Sequence, residues 1–370
     1  LSSADAIVVG AGICGAAVAH FLAERGRQVL VLDRGGIAEG TSSRGEGNVL
    51  VCDKPGGPER EFALHGRALW ESLGERYPAG RVTRTGALLL FGEGEGEGNG
   101  VKGDGEGAGE AADDGAGLEN AAALEPALAP GVRGVHEPGD LMVDPPGMTR
   151  ALLESVDVRT GARVTGIVDG GVTLEGGERL TARDVIVCAG PWSGPLTGLP
   201  VEPRKGQLVA LRAPERLVGN KLIEGSYLDA VTAAQAGLIV ASVIEQTLDG
   251  DEVLVGSSRE RVGFDETVDH AVTRAMLERA YRWVPALREL EVTREWAGLR
   301  PWLPDGLPAV GPLAPASGTG AGRGGVWAST GHEGSGVCLG PVSGLLLAQL
   351  VCGETPIVDP APFDPRRFRP

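Results

Sequence analysis

Gly10-Ala11-Gly12-Ile13-Cys14-Gly15 stands between a short apolar run, residues 6–9, and a helical pattern carried by Ala16, Ala19, Phe21, Leu22 and Ala23. A second apolar run, Val29 to Leu32, ends at Asp33, eighteen residues beyond Gly15. Strand, glycine turn, helix, strand and acid in this order predict a βαβ unit that binds a dinucleotide. The glycines let backbone approach a pyrophosphate at a helix N-terminus, whose amides and partial positive charge stabilise it. Ile13 and Cys14 belong to that turn, and Asp33, followed by Arg34, is placed to accept hydrogen bonds from the adenosine ribose. A glycine turn serving only close packing of helix on strand is the plainer alternative. The same glycines interrupt the apolar segment 6–22, and no basic stretch precedes it. Strand and helix are therefore expected there, not a signal peptide or a membrane span.

The fingerprint does not say which dinucleotide. Gly40 to Val49 is rich in glycine and small polar residues, so its hydroxyls and amides can lie along a second phosphate and a flat ring; a nicotinamide enzyme has no evident use for such a loop. A flexible connector is the other reading. Helical spacing of Phe62, Leu64, Leu69, Trp70 and Leu73 predicts a core helix within 56–77. A strand is predicted over 81–91. A helix at 148–154 and short strands at 156–158, 163–168, 172–174 and 184–187 follow. The last strand runs into Cys188-Ala189-Gly190-Pro191-Trp192, where small residues admit close approach by another chain or a cofactor. More strands to about residue 258 and a helix over 267–281 suggest a second lobe on a mixed or antiparallel sheet. Near the C-terminus a strand at 325–329, the turn Gly331-His332-Glu333-Gly334-Ser335-Gly336 and an apolar helix over 337–351 repeat the strand, glycine turn, helix order. A second helix N-terminus is thereby aimed at the same cofactor.

Charge narrows the partners. The chain has a net charge of −16, and residues 92–117 alone hold eight carboxylates against one lysine. That glycine-rich stretch lacks apolar surface to offset its ordering entropy and is expected to be a disordered surface insertion. The rest is still acidic, which argues against nucleic acid or an anionic membrane as partner. The five cysteines form no C-x-x-C pair and share no metal-ligand spacing with the five histidines. Free thiols in a reducing cytoplasm are the expectation, with no metal.

Together these segments resemble the D-amino-acid oxidase superfamily of flavoproteins over nearly the whole chain except the acidic insertion. Gly45 to Lys54 is similar to the β subunits of opine and D-hydroxyproline dehydrogenases. The resemblance implies an α/β fold: a Rossmann-like FAD-binding domain (1–80, 143–206 and 300–370) and an α+β substrate domain on a mixed, largely antiparallel sheet (81–142 and 207–299). It implies Gly10, Gly12 and Gly15 at the pyrophosphate and Thr41, Ser42 and Ser43 at the phosphates. Gly47, Asn48 and Val49 would lie along the isoalloxazine, and Val164 would face the adenine end. Ala189, Gly190 and Trp192 would close over the cofactor, with His332 and the turn from Gly331 through Gly334, Ser335, Gly336 and Val337 at the flavin pyrimidine edge. His332 and Tyr227 are candidate catalytic groups, Tyr227 as a pocket hydroxyl or a plainly packed tyrosine. Arg300 matches the position that grips a substrate carboxylate, with a structural arginine tied to backbone carbonyls as the alternative.

Relatives of the monomeric sarcosine oxidase type attach flavin to a cysteine, and the matching position here is Gly298, so non-covalent FAD is expected. The activity implied is hydride transfer from the α-carbon of a small amino acid or secondary amine (D-amino acid, imino acid or opine) to flavin. Electrons would pass to oxygen or to a protein or quinone acceptor, with companion subunits conceivable. A nicotinamide-dependent dehydrogenase and a non-catalytic FAD-holding electron-transfer subunit are the competing readings.

Overall fold

The computed structural model describes residues 4–54, 56–92, 119–227, 237–313 and 324–368. The acidic insertion expected at 92–117 lies outside them apart from Gly92. Five parallel strands run in the order Asp157–Arg159, Val29–Leu32, Ala4–Val9, Arg179–Val187, Val326–Thr330. Val29–Leu32, residues 6–9 and residues 185–187 are largely buried, which is why they read as near-continuous apolar runs. An antiparallel meander, Val164–Val168 and Gly171–Leu174, extends the base of Arg179–Val187. The nucleotide half is thus the α/β sheet anticipated from the fingerprint.

Helices Ile13–Glu24 and Gly336–Cys352 pack side by side in the main core. They approach so closely at Gly344 that a Cβ there would meet Ala17 backbone at 2.6 Å. Segment Glu333–Cys352 is long and apolar enough to cross a membrane, yet 67% of its apolar window is buried within the protein. It is accounted for as a core helix. Helix Pro58–Arg76 packs on the same helix, where fully buried Trp70 donates Nε1–H to Val337 O at 2.8 Å. That bond fixes the start of Gly336–Cys352, one of the two helix ends facing the site.

The second sheet runs Val292–Trp302, Glu202–Arg212, Glu252–Arg259, Ile239–Gln246, Lys221–Glu224, Ala87–Phe91, Arg133–Glu137, Glu119–Asn120. All its pairings are antiparallel except Lys221–Glu224 with Ala87–Phe91, as the mixed, largely antiparallel expectation had it. Helix His270–Trp283 covers one face, burying Met276 and Ala280 against Val255 and Ile244 in a second core. The strand expected over 81–91 is two strands, broken at Gly86 with φ +71°. The proposed divisions at 206/207 and 299/300 both fall inside long strands, Glu202–Arg212 and Val292–Trp302, which pair from Glu202↔Trp302 to Leu211↔Val292.

Candidate functional site

Between the sheets lies a cavity of about 600 Å³, lined from Gly10 and Asp33 at one end to Tyr227, Arg300 and Glu333 at the other. Its first end is built by the fingerprint. Gly10 adopts φ +116°, a conformation other residues rarely take, and its α-carbon lies against Cys188 O. Helix Ile13–Glu24 starts with no side-chain cap on Gly12, and Ile13 N donates to Ser42 Oγ at 3.0 Å. The hydroxyl thus marks where an oxygen acceptor sits against the helix N-terminus, as a phosphate oxygen would. Asp33 is held by its own loop, with Oδ2 accepting from Ala11 N and Oδ1 from Gly35 N, both at 2.7 Å. Its remaining lone pairs are the ones a ribose would use. Arg34 lies 4.0 Å over the Trp192 ring, which stacks in turn on exposed Phe264, so a cation and an aromatic ring line this end.

Of the residues assigned to the cofactor, Gly10, Gly12, Ile13, Cys14, Asp33 and Arg34 all line the cavity. So do Thr41, Ser42, Gly47, Asn48, Val164, Ala189, Gly190 and Trp192, and at the far helix Gly334, Ser335, Gly336 and Val337. Four assignments are corrected. Val49 is fully buried in the main core; alternation along Asn48–Val49 turns it away from the lumen that Asn48 faces. Ser43 is exposed and bonds Gly40 O. Gly15 lies behind the lining, pressed on Gly10 O, and Gly331 backs onto Leu303; both shape turns without reaching the lumen. Thr41 also donates Oγ1–H to Leu299 O at 2.7 Å, tying the phosphate loop to the second sheet.

The other end is strongly charged. Gly206 and Gly298 face each other across the long strand pair, and the Arg300 guanidinium lies over Gly206, where a Cβ would come within 2.0 Å of Nη1. Arg300 Nη1 donates to Ser258 O at 2.9 Å, and Nε is 4.0 Å from Glu333 Oε1. The same oxygen lies 3.3 Å from Arg259 Nε and 3.6 Å from Arg204 Nη1. Burial alone would raise the Glu333 pKa, but Arg259, Arg300 and Arg204 outweigh it and hold the carboxyl below its usual value. Burial lowers the Arg300 pKa, with Glu333 opposing and Arg259 adding to the fall; burial takes Arg204 down to about 10. Among the described residues, three guanidinium groups therefore stand within 4.0 Å of one carboxylate. Tyr227 sits at the edge, its hydroxyl accepting from Arg259 Nη2 at 2.9 Å.

His332 lines the cavity, but its Nε2 is 2.9 Å from Ser343 Oγ and its Nδ1 is 3.8 Å from Cys14 Sγ. With both ring nitrogens turned into the protein, it is built to position the turn and not to move substrate protons. Burial lowers its pKa from 6.5 to about 4. The neutral ring is favoured by folding, so its contribution is complete above pH 6.5 and is lost as pH falls toward 4. His332→Gln is expected to remove on the order of 3 kcal/mol of acid sensitivity across that window. Urea unfolding at pH 7.5 and 4.5 checks this, and an unchanged pH difference in the variant would overturn it.

Glu46, Lys221, Arg259 and Glu333 had no assigned role in the sequence. Glu46 and Glu333 lie inside motifs read for their glycines; Lys221 and Arg259 are single residues on strands that only the tertiary fold brings to the site.

Residues 5–350 match the family described as DAO, FAD dependent oxidoreductase. A glycine oxidase of Pseudomonas putida is 30% identical over 386 residues, covering 98% of each chain. The crystal structure of glycine oxidase from Geobacillus kaustophilus superposes with a TM-score of 0.78 at 27% identity over 98% of each chain. L-Proline dehydrogenase from P. horikoshii shares the fold, with a TM-score of 0.82 at 23% identity, over 99% of this chain and 98% of that one. A glycine cradle, a helix N-terminus at each end and a cavity spanning both sheets fit FAD. The chain belongs to the DAO family of FAD dependent oxidoreductases.

Proposed function

We propose that this flavoenzyme dehydrogenates a small amino acid or secondary amine, of the D-amino acid, imino acid or opine type, held by its carboxylate on Arg300. The observation carrying this reading is the Arg300 guanidinium, which lines the cavity end away from the nucleotide cradle and stands 4.0 Å from Glu333 Oε1, too long for a hydrogen bond. A buried guanidinium facing a cavity is satisfied by an anionic ligand, and a substrate carboxylate is one. Arg300 offers a planar edge that fixes the α-carbon. Tyr227, already accepting from Arg259, keeps its own O–H to donate. Bound FAD supplies the hydride-accepting chemistry. The protein's part is orientation and exclusion of water, and no base at the carbon is required. The imine product then hydrolyses to a keto acid and ammonia or an amine.

The flavin is held without a covalent bond. Gly298 offers no thiol, and burial pushes the Cys14 and Cys338 thiols up to about 12, leaving little thiolate to attack. Acid precipitation is expected to release all FAD into the supernatant. Anaerobic bleaching by a panel of D- and L-amino acids, N-methyl amino acids and opines tests the substrate class. Bleaching by none would leave the electron-transfer-subunit reading in its place.

A further inference from the structure

A second charged group lines the same cavity with the opposite sign. Lys221 Nζ donates to Glu245 Oε2 at 2.8 Å, both buried, and lies 3.6 Å from Glu46 Oε2. Glu46 faces the lumen, with Oε2 also accepting from Asn48 Nδ2 at 3.0 Å. Its Oε1 is buried and has no hydrogen-bond partner among the described residues. Space for that oxygen depends on Gly256, where a Cβ would come to 3.0 Å from it. One ammonium and two carboxylates thus stand near three guanidinium groups and one carboxylate. Glu46 is close enough to Arg300 to act on its charge, opposing the fall that burial causes.

An α-amino acid carries its two charges on adjacent atoms, carboxylate and ammonium, and this cavity presents neighbouring groups of matching sign. Resting on the amino-acid reading above, we propose that Glu46 receives the substrate's ammonium and takes one proton from it. The N–H bond breaks, its electron pair stays on nitrogen as the lone pair, and the proton moves to the Glu46 carboxylate. The neutral amine can then release hydride from the α-carbon as the C=N bond forms, with FAD the two-electron acceptor. Among the described residues, the groups facing Glu46 are Lys221 and Glu245 from the sheet, Arg300 across the cavity, and Asn48 beside it. Tyr227 is also near Lys221. Burial pushes Glu245 up to about 8 against the pull of Lys221.

The test uses holoenzyme of wild type, Glu46→Gln and Glu46→Asp, at matched FAD content. Flavin reduction by the best amino acid of the panel is followed by stopped flow from pH 6 to pH 10. The Gln variant is expected to be about tenfold slower at pH 7 and to recover as the free amine accumulates at high pH, with Asp between. Binding of glycolate, a carboxylate without an amine, is read from the flavin spectrum and should be unchanged or tighter in Glu46→Gln. A deficit equal at all pH values, no deficit at pH 7, or equally weakened glycolate binding would overturn the role of Glu46 alone. If no amino acid or amine reduces the wild-type flavin, the parent reading fails and this one with it.

Discussion

Replacing Arg300 by Met is expected to lower kcat/KM for an amino acid by roughly tenfold to 150-fold, the equivalent of a charge-assisted contact of about 1.5–3 kcal/mol. FAD content should stay at the wild-type level, because the pyrophosphate cradle at Gly10 to Gly15 and the loop at Ser42 lie at the other end of the cavity. Lys keeps the charge but loses the planar fork and should fall between. The control is an amine lacking a carboxylate, which never used the contact and should lose far less. Arg300 also donates to Ser258 O, so a purely structural role makes a different forecast: equal losses for acid and non-acid substrates, accompanied by lower thermal stability. Steady-state kinetics on both substrates separate the two.

Gly15→Val is expected to abolish accumulation of yellow holoprotein. A Cβ at Gly15 would stand 1.9 Å from Gly10 O and 3.3 Å from Cys188 Cβ, so helix Ile13–Glu24 could no longer seat against the first strand's exit. Backbone cannot yield there without moving the turn that holds the pyrophosphate. Overpacking of this kind costs on the order of 3 kcal/mol or more, a large share of a typical domain's stability. Gly45→Ala is the matched control in the phosphate loop, since nothing lies within 4 Å of its added Cβ. It should retain FAD. Flavin-to-protein absorbance ratios of the purified proteins check both, and holoprotein from Gly15→Val at wild-type yield would refute the packing argument.

The nucleotide half was legible because its constraints are local. A strand, a glycine turn and a helix follow one another within a few residues, and Asp33 falls at the end of the next strand, so spacing alone places them. The far helix was readable for the same reason, Gly331 to Val337 repeating that order. Val49 was misplaced because its side depends on the pleat of a two-residue strand paired with Leu141, which no local pattern reveals. The charged end was the least legible. Arg204 and Arg300 meet because Glu202–Arg212 and Val292–Trp302 pair in a register that sets them opposite each other, although ninety-six residues separate them in the chain. Arg259 joins from a third strand. Lys221 and Glu245 come together across the same sheet, and nothing in either neighbourhood marks them as partners. Arg300 and Tyr227 were named in advance, through the resemblance, and both line this end of the cavity.

The pairing of Glu202–Arg212 with Val292–Trp302 has an evolutionary corollary. One beam carries both Gly206 and Arg300, the seat proposed for the substrate's acid group, and the carbonyl of Leu299 that secures the loop at Ser42 through Thr41. The two halves are consequently not exchangeable modules. A chimera joined at 206/207 or 299/300 would splice unrelated strands in mid-ladder and misalign cofactor and substrate together.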